Sequence, residues 1–150
     1  MTTCRVARTV MTLSITLLFA IMFCLAGLGK WLDGGAPEWF VEQFANTPLG
    51  SLPQTPMYLG IALGESLLGL GAVVSLLKGE WLRGRAPLLK LTLAASLLMF
   101  VALGFGTRIS HQYEDAAFQF MYFTGTLLAL IIVDRDDRLA ETSEADRTNS

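Results

Sequence analysis

The chain has 150 residues, of which 53% are hydrophobic and only 16% are charged, and its formal net charge is −2 at pH 7. A soluble domain of this size carries more charge, so the composition predicts a membrane protein with one domain. The few Lys and Arg residues are scattered along the chain. This excludes a nucleic-acid partner, because such a partner needs them clustered on one face.

Four stretches are long and apolar enough to cross a bilayer as helices, which takes roughly 20 residues each. The predicted spans are about residues 9–29, 57–77, 87–106 and 116–133. The first is longer than the roughly 7–15 apolar residues of a secretory signal peptide, so we expect a retained helix. The predicted fold is therefore an all-α bundle of four transmembrane helices, forming a single domain over residues 1–139.

The basic residues predict how these helices cross the membrane, because short cytoplasmic connections are enriched in Lys and Arg. Arg5 and Arg8 precede the first span, and the connection between the second and third spans holds another group: Lys78, Arg83, Arg85 and Lys90. The other two connections are richer in acidic residues. Both termini are thus predicted to be cytoplasmic, and the polar tail at 140–150 to be disordered.

The longest connection, residues 31–55, lies on the predicted outer side and contains a short helical pattern. Phe40, Val41 and Phe44 would fall on one side of that helix. We expect a short interfacial helix in this loop, with Trp31 and Trp39 as anchors at the level of the lipid headgroups.

Cysteine and histidine are too few for the commonest redox and metal sites. Cys4 and Cys24 form no C-x-x-C motif, and His111 is the single histidine. A bis-histidine haem or a zinc cage therefore has no ligands within one subunit, and we expect no metal and no cofactor held by this chain alone.

Polar side chains inside a span are costly and usually face the bundle interior, so they are the first candidates for a functional site. Glu65 lies in the second span, and Lys30 closes the first span on the same side of the membrane. Lys30 could approach Glu65 or Asp115 as a counter-charge. The alternatives are a protonated Glu65 that only hydrogen-bonds a neighbouring helix, and a Lys30 that extends to the membrane surface.

Five polar side chains at the fourth span, the second polar feature of the chain, are spaced 4, 4, 3 and 4 residues apart. At about 100° per residue these side chains fall within roughly 80° of one another. The stripe consists of His111, Asp115, Gln119, Tyr122 and Thr126. It suits a proton path or a pocket for the head of a polar-headed lipid. The alternative is a stripe that only bonds other helices and headgroups, with His111 and Asp115 in interfacial water.

Several of these residues resemble the DoxX family of small four-helix membrane proteins of bacteria and archaea. The first span ends Ala26-Gly27-Leu28-Gly29-Lys30, and Glu65 is followed by Leu67-Leu68-Gly69-Leu70-Gly71. Met99 and Ala102 in the third span, and His111 before the fourth, continue the likeness over about residues 10–133. The resemblance implies a bacterial or archaeal plasma membrane and a redox role, as in thiosulfate:quinone oxidoreductase, terminal-oxidase modules or complexes for oxidative-stress defence.

These features lead to one main hypothesis and two alternatives. The main one is a subunit of a membrane redox complex that binds quinone or a similar lipid-like molecule in an outward-facing cavity, while a partner subunit supplies the electrons. The predicted cavity residues are Lys30, Glu65, His111, Asp115, Gln119 and Tyr122. One alternative is a non-catalytic scaffold that packs through Gly60 and Gly64 against a larger complex. The other is a small transporter or channel built from several copies of the chain.

Overall fold

The computed structural model describes the backbone of residues 2–83 and 85–148 and the side chains of residues 6–82 and 85–139. This part of the chain is helical throughout, apart from short connections. The helices are α1 (Thr2–Asp33), α2 (Glu38–Phe44), α3 (Gln54–Leu77), α4 (Glu80–Arg83), α5 (Pro87–Ile109) and α6 (Tyr113–Thr148), with a 3₁₀ turn at Pro48–Ser51.

Four of these helices are long and apolar enough to cross a membrane. The candidate spans are Val6–Asp33, Gln54–Leu77, Pro87–Ile109 and Tyr113–Leu139. Each contains one of the spans predicted from the sequence, which confirms the prediction of a multi-pass protein built on four transmembrane helices. We call the end of the bundle that carries α2 the α2 end, and the opposite end the α4 end.

The helices extend beyond the predicted spans, most of all in the polar tail. The backbone of α6 is helical as far as Thr148. Disorder of residues 140–150 stays a prediction from their polar composition. Residues 149–150 lie outside the described part of the chain.

The ends of the helices follow from local backbone chemistry. Gly79 has a φ of +66°, a left-handed conformation that ends α3, and its amide bonds the carbonyl oxygen of Leu76 at 3.0 Å. Pro87 is the first residue of α5, where its missing N–H leaves no helical hydrogen bond unmade. His111 has a φ of +61° and lies in the turn that separates α5 from α6.

The bundle consists of two helix pairs, α1 with α3 and α5 with α6, joined where α3 packs on α5. Glycine allows α1 and α3 to approach closely. A Cβ at Gly69 would lie 2.8 Å from the backbone nitrogen of Cys24, and one at Gly27 would lie 2.6 Å from Oγ of Ser66. These contacts fix the position of the last third of α1 against α3.

Buried apolar side chains form two separate clusters. The larger cluster fills the bundle and includes Phe23, Leu89, Leu93 and Phe100. The smaller one lies at the α2 end, where Phe40, Phe44 and Tyr58 pack together with ring centroids 4.9–5.0 Å apart for Phe40–Tyr58 and Phe40–Phe44. The second cluster attaches α2 to α3.

Two buried carboxylates hold the α4 end together. Glu80 accepts hydrogen bonds from the backbone amides of Leu88 (3.2 Å) and Leu89 (3.1 Å) and thereby caps the start of α5. Asp137 of α6 accepts a bond from the amide of Ala86 at 3.0 Å and pairs with Nζ of Lys90 at 2.8 Å. Both carboxylates are about 6% exposed, so their partners make up for the water that they lose on burial.

Candidate functional site

An ion pair links the last turn of α1 to α3 near the α2 end. Nζ of Lys30 lies 2.8 Å and 3.0 Å from the two carboxylate oxygens of Glu65. The Glu65 side chain is 6% exposed and that of Lys30 is 22% exposed. The structure thus places Lys30 on Glu65, and the close approach of α1 and α3 at Gly27 and Gly69 makes this contact possible.

Two further hydrogen bonds attach α1 to α3 in the same region. The Tyr58 hydroxyl donates to the carboxylate of Asp33 at 2.5 Å, and the indole N–H of Trp31 donates to Ser66 Oγ at 2.9 Å. Together with the ion pair they form three polar contacts between the same two helices. The Lys30 ammonium is consequently held at a defined position.

Beside this ammonium lies a cavity of about 560 Å³, which we call the α2-end cavity. Its volume falls within the range of about 300–1,000 Å³ that is typical of sites for small ligands. Most of its wall is apolar. The lining residues are Lys30, Trp39, Phe40, Gln43, Phe44, Leu49, Met57, Tyr58, Ile61, Ala102, Leu103, Phe105, Gly106, Thr107, Gln112, Asp115, Phe118, Gln119 and Tyr122.

Helix α2 forms one wall of the cavity. Phe40 and Phe44 are buried, and Nε2 of Gln43 donates to Ser110 Oγ at the end of α5 at 3.1 Å. Val41 is 42% exposed, so it does not share the buried side of α2 that the sequence predicted for it. Trp39 is exposed over more than half of its surface and also lines the cavity.

The structure brings four of the six predicted site residues to the cavity wall. These are Lys30 from α1 and Asp115, Gln119 and Tyr122 from α6. Glu65 does not line the cavity and contacts it only through Lys30. Thr126, at the far end of the predicted stripe, is buried at 2% exposure and lies away from the cavity.

His111 is not part of this cavity, contrary to its place in the predicted stripe. The stripe assumed a helix that includes residue 111, but α6 begins at Tyr113 and the φ of His111 is left-handed. The side chain is exposed, and its Nδ1 lies 3.2 Å from the hydroxyl of Tyr113. Because the helical periodicity of α6 does not extend through this turn, the His111 side chain does not lie in line with Asp115 and Gln119.

Gln119 has an unusual position in the wall. Its Oε1 is buried and has no hydrogen-bond partner among the described residues. A buried polar atom without a partner costs about 1–3 kcal/mol. A ligand that donates a hydrogen bond at this point would recover that cost, which makes Gln119 a contact point for the polar part of a ligand.

Several cavity residues were not singled out from the sequence. Tyr58 and Thr107 lie near helix ends, and Gln43 and Gln112 lie in or beside the connections. None is charged, so none is conspicuous inside an apolar span. The one available signal was the aromatic pattern of residues 39–44, which predicts the helix and not the cavity behind it.

Comparisons of the chain with protein-family models, with curated proteins and with solved structures found no match. Within the part of the chain that the structure describes, no three His, Cys, Asp or Glu side chains are grouped as a metal site requires. The cavity can hold a molecule that is mainly apolar, with hydrogen-bonding groups toward Lys30, Asp115 and Gln119. Its chemistry is that of a site for an amphiphile.

Proposed function

We propose that the chain is a DoxX-like membrane subunit of a redox complex that binds a quinone, or a similar lipid-like molecule, in the α2-end cavity. The observation that carries this proposal is the cavity itself. It has mostly apolar walls, a fixed ammonium at Lys30 and an unpaired carbonyl oxygen at Gln119. A quinone ring has apolar faces and an oxygen that can accept a hydrogen bond from Lys30, and its reduced form, the quinol, has a hydroxyl that can donate one to Oε1 of Gln119.

In this proposal the α2 end faces outward and both termini are cytoplasmic. The α4 end carries Lys78, Arg85 and Lys90, whereas the α2 end carries several acids: Asp33, Glu38, Glu42, Glu114 and Asp115. Cytoplasmic connections are enriched in Lys and Arg, which supports this orientation. Helix α2 then lies at the outer lipid–water boundary, in the plasma membrane of a bacterium or archaeon.

Each polar group of the cavity has a distinct part in binding. Lys30, held by Glu65, donates a hydrogen bond to an oxygen of the ring, and Oε1 of Gln119 accepts one from a hydroxyl of the reduced ring, the quinol. Asp115 is exposed and can exchange protons with the exterior. Reduction of a quinone to a quinol takes two electrons and two protons. The partner subunit supplies the electrons and the exterior supplies the protons through Asp115.

The test is quinone binding to the purified protein in mild detergent, measured by equilibrium dialysis. We expect Glu65→Gln to weaken binding by about tenfold, because Lys30 loses the carboxylate that holds it, and a tenfold change corresponds to about 1.4 kcal/mol. His111→Ala is the matched control, since His111 lies outside the cavity, and it should leave binding unchanged. Absence of binding to the unaltered protein would overturn the proposal.

A scaffold subunit is the second candidate, and the exposure of α6 favours it. This helix is the least buried of the four candidate spans. Of the two predicted contact glycines, Gly64 faces the Met99 side chain within the bundle, while Gly60 has open space beside it. A scaffold therefore predicts that Gly60→Leu releases partner proteins that co-purify in mild detergent, with quinone binding unaffected. Retention of the partners in that variant would count against it.

A further inference from the structure

A second cavity adjoins the first one across the side chain of Gln119. It has a volume of about 260 Å³ and lies between α5 and α6, and we call it the seam groove. Its lining residues are Phe100, Val101, Gly104, Ala116, Gln119, Phe120 and Phe123. Gln119 belongs to the walls of both cavities and separates them.

On the side of α5, a glycine faces Gln119 where the two cavities adjoin. Gly104 stands opposite Gln119, and a Cβ placed on Gly104 would lie 3.5 Å from Cβ of Gln119. This is the distance of ordinary van der Waals contact, so Gly104 itself places no side chain between the two cavities. On the α6 side, Oε1 of Gln119 has no hydrogen-bond partner among the described residues that would hold the carboxamide in place.

The two cavities differ in chemistry. Lys30 and Asp115 line the α2-end cavity, whereas the seam groove is formed by apolar and aromatic residues apart from Gln119. Val101 is 56% exposed and Phe120 is 71% exposed, so the groove opens to the outside of the bundle, where a membrane protein meets hydrocarbon. One side of Gln119 thus suits a polar ring and the other a hydrocarbon chain.

We propose that the seam between α5 and α6 is a side opening through which the chain of the bound molecule leaves the α2-end cavity. The ligand is then an amphiphile with one hydrocarbon chain. Its polar ring lies in the cavity, and its chain passes the carboxamide of Gln119 into the seam groove, beside Gly104, which has no side chain of its own. This inference rests on the proposed function.

The first experiment narrows the opening. We compare the unaltered protein with Gly104→Leu, using a methoxylated benzoquinone without a chain and the same ring carrying a decyl chain. Gly125→Leu is the matched control, because Gly125 has nothing within 4 Å of an added Cβ. Gly104→Leu should weaken binding of the decyl quinone by about tenfold or more, which corresponds to about 1.4 kcal/mol. Binding of the chainless ring should not change, and the control should bind both as before.

A second experiment uses the unaltered protein and keeps the test decisive where Gly104→Leu does not fold. A quinone with a diazirine at the end of its chain is photo-activated, and the labelled residues are identified by mass spectrometry. We expect labels on Phe120, Phe123 or Val101. Labels on α1 or α3, or equal effects of Gly104→Leu on both quinones, would overturn the side opening. Failure of both quinones to bind the unaltered protein would instead contradict the proposed function.

Discussion

Removing Lys30 should destabilise the protein more than removing its partner Glu65, because the two side chains are buried to different degrees. The Glu65 side chain is 6% exposed and that of Lys30 is 22% exposed. Lys30→Met leaves a buried carboxylate without its cation. Loss of one partner of a buried pair costs about 3–5 kcal/mol, and we expect the lower end, about 3 kcal/mol, since water still reaches Lys30.

Replacing Glu65 instead leaves an unpaired Lys30 ammonium that can reach water. In Glu65→Gln the Lys30 side chain can extend to the membrane surface, as long cationic side chains do, and the amide oxygen of Gln can still accept one hydrogen bond. We therefore expect a cost of about 1 kcal/mol, the size of one ordinary hydrogen bond. The double variant Lys30→Met with Glu65→Leu removes both charges and should lie within about 1 kcal/mol of the unaltered protein.

The measurement is the free energy of unfolding in mixed micelles, with increasing sodium dodecyl sulfate and loss of helicity followed by circular dichroism. Glu65→Leu is measured as well, so that the unaltered protein, Lys30→Met, Glu65→Leu and the double variant form a double-mutant cycle, which isolates the interaction between the two side chains. A larger loss for Glu65→Gln than for Lys30→Met would refute the argument from burial. Additive losses in the double variant would refute the pairing itself.

Three further predictions concern the bundle and can be read from the same unfolding experiment. Gly69→Leu should cost more than about 3 kcal/mol of unfolding free energy or prevent folding, because the new side chain would collide with the backbone of Cys24. Gly60→Leu has open space around it and should change stability by less than about 1 kcal/mol. Similar losses in the two variants would contradict the close approach of α1 and α3. Glu80→Ala should cost about 2 kcal/mol of unfolding free energy, since two backbone amides of α5 and the Ser75 hydroxyl lose their acceptor. An unchanged unfolding midpoint would show that this cap does not stabilise the bundle. His111→Gly should raise stability by roughly 0.5–1 kcal/mol, because glycine adopts a positive φ without strain. A loss would mean that the contact of the imidazole with the Tyr113 hydroxyl outweighs that strain.

The sequence predicted the four spans because their signal is local. A helix that crosses a membrane must bury about 20 consecutive apolar residues, and this requirement is written along the chain whatever the helices contact. The short helix at residues 38–44 was predicted for the same reason, from its own periodicity. Polar residues inside spans also stand out locally, so the sequence marks Lys30, Glu65 and Gln119 as candidates whatever they contact.

The contacts among these candidates depended on the tertiary structure. The spacing left open whether Lys30 approaches Glu65 or Asp115, and the packing of α1 on α3 through Gly27 and Gly69 places it on Glu65. A single backbone angle at His111 removes that residue from a stripe that periodicity had extended to it.

What the sequence alone determined is the number and position of the spans and the set of polar residues that their interior must accommodate. Only the tertiary structure decided that α2 folds over the bundle to close a cavity, that Tyr58 and Gln43 belong to it, and that Gln119 lies between it and a groove on the outer surface. Span length and polarity are properties of consecutive residues. A cavity is made by residues that are distant in sequence, and its shape depends on how closely the helices approach.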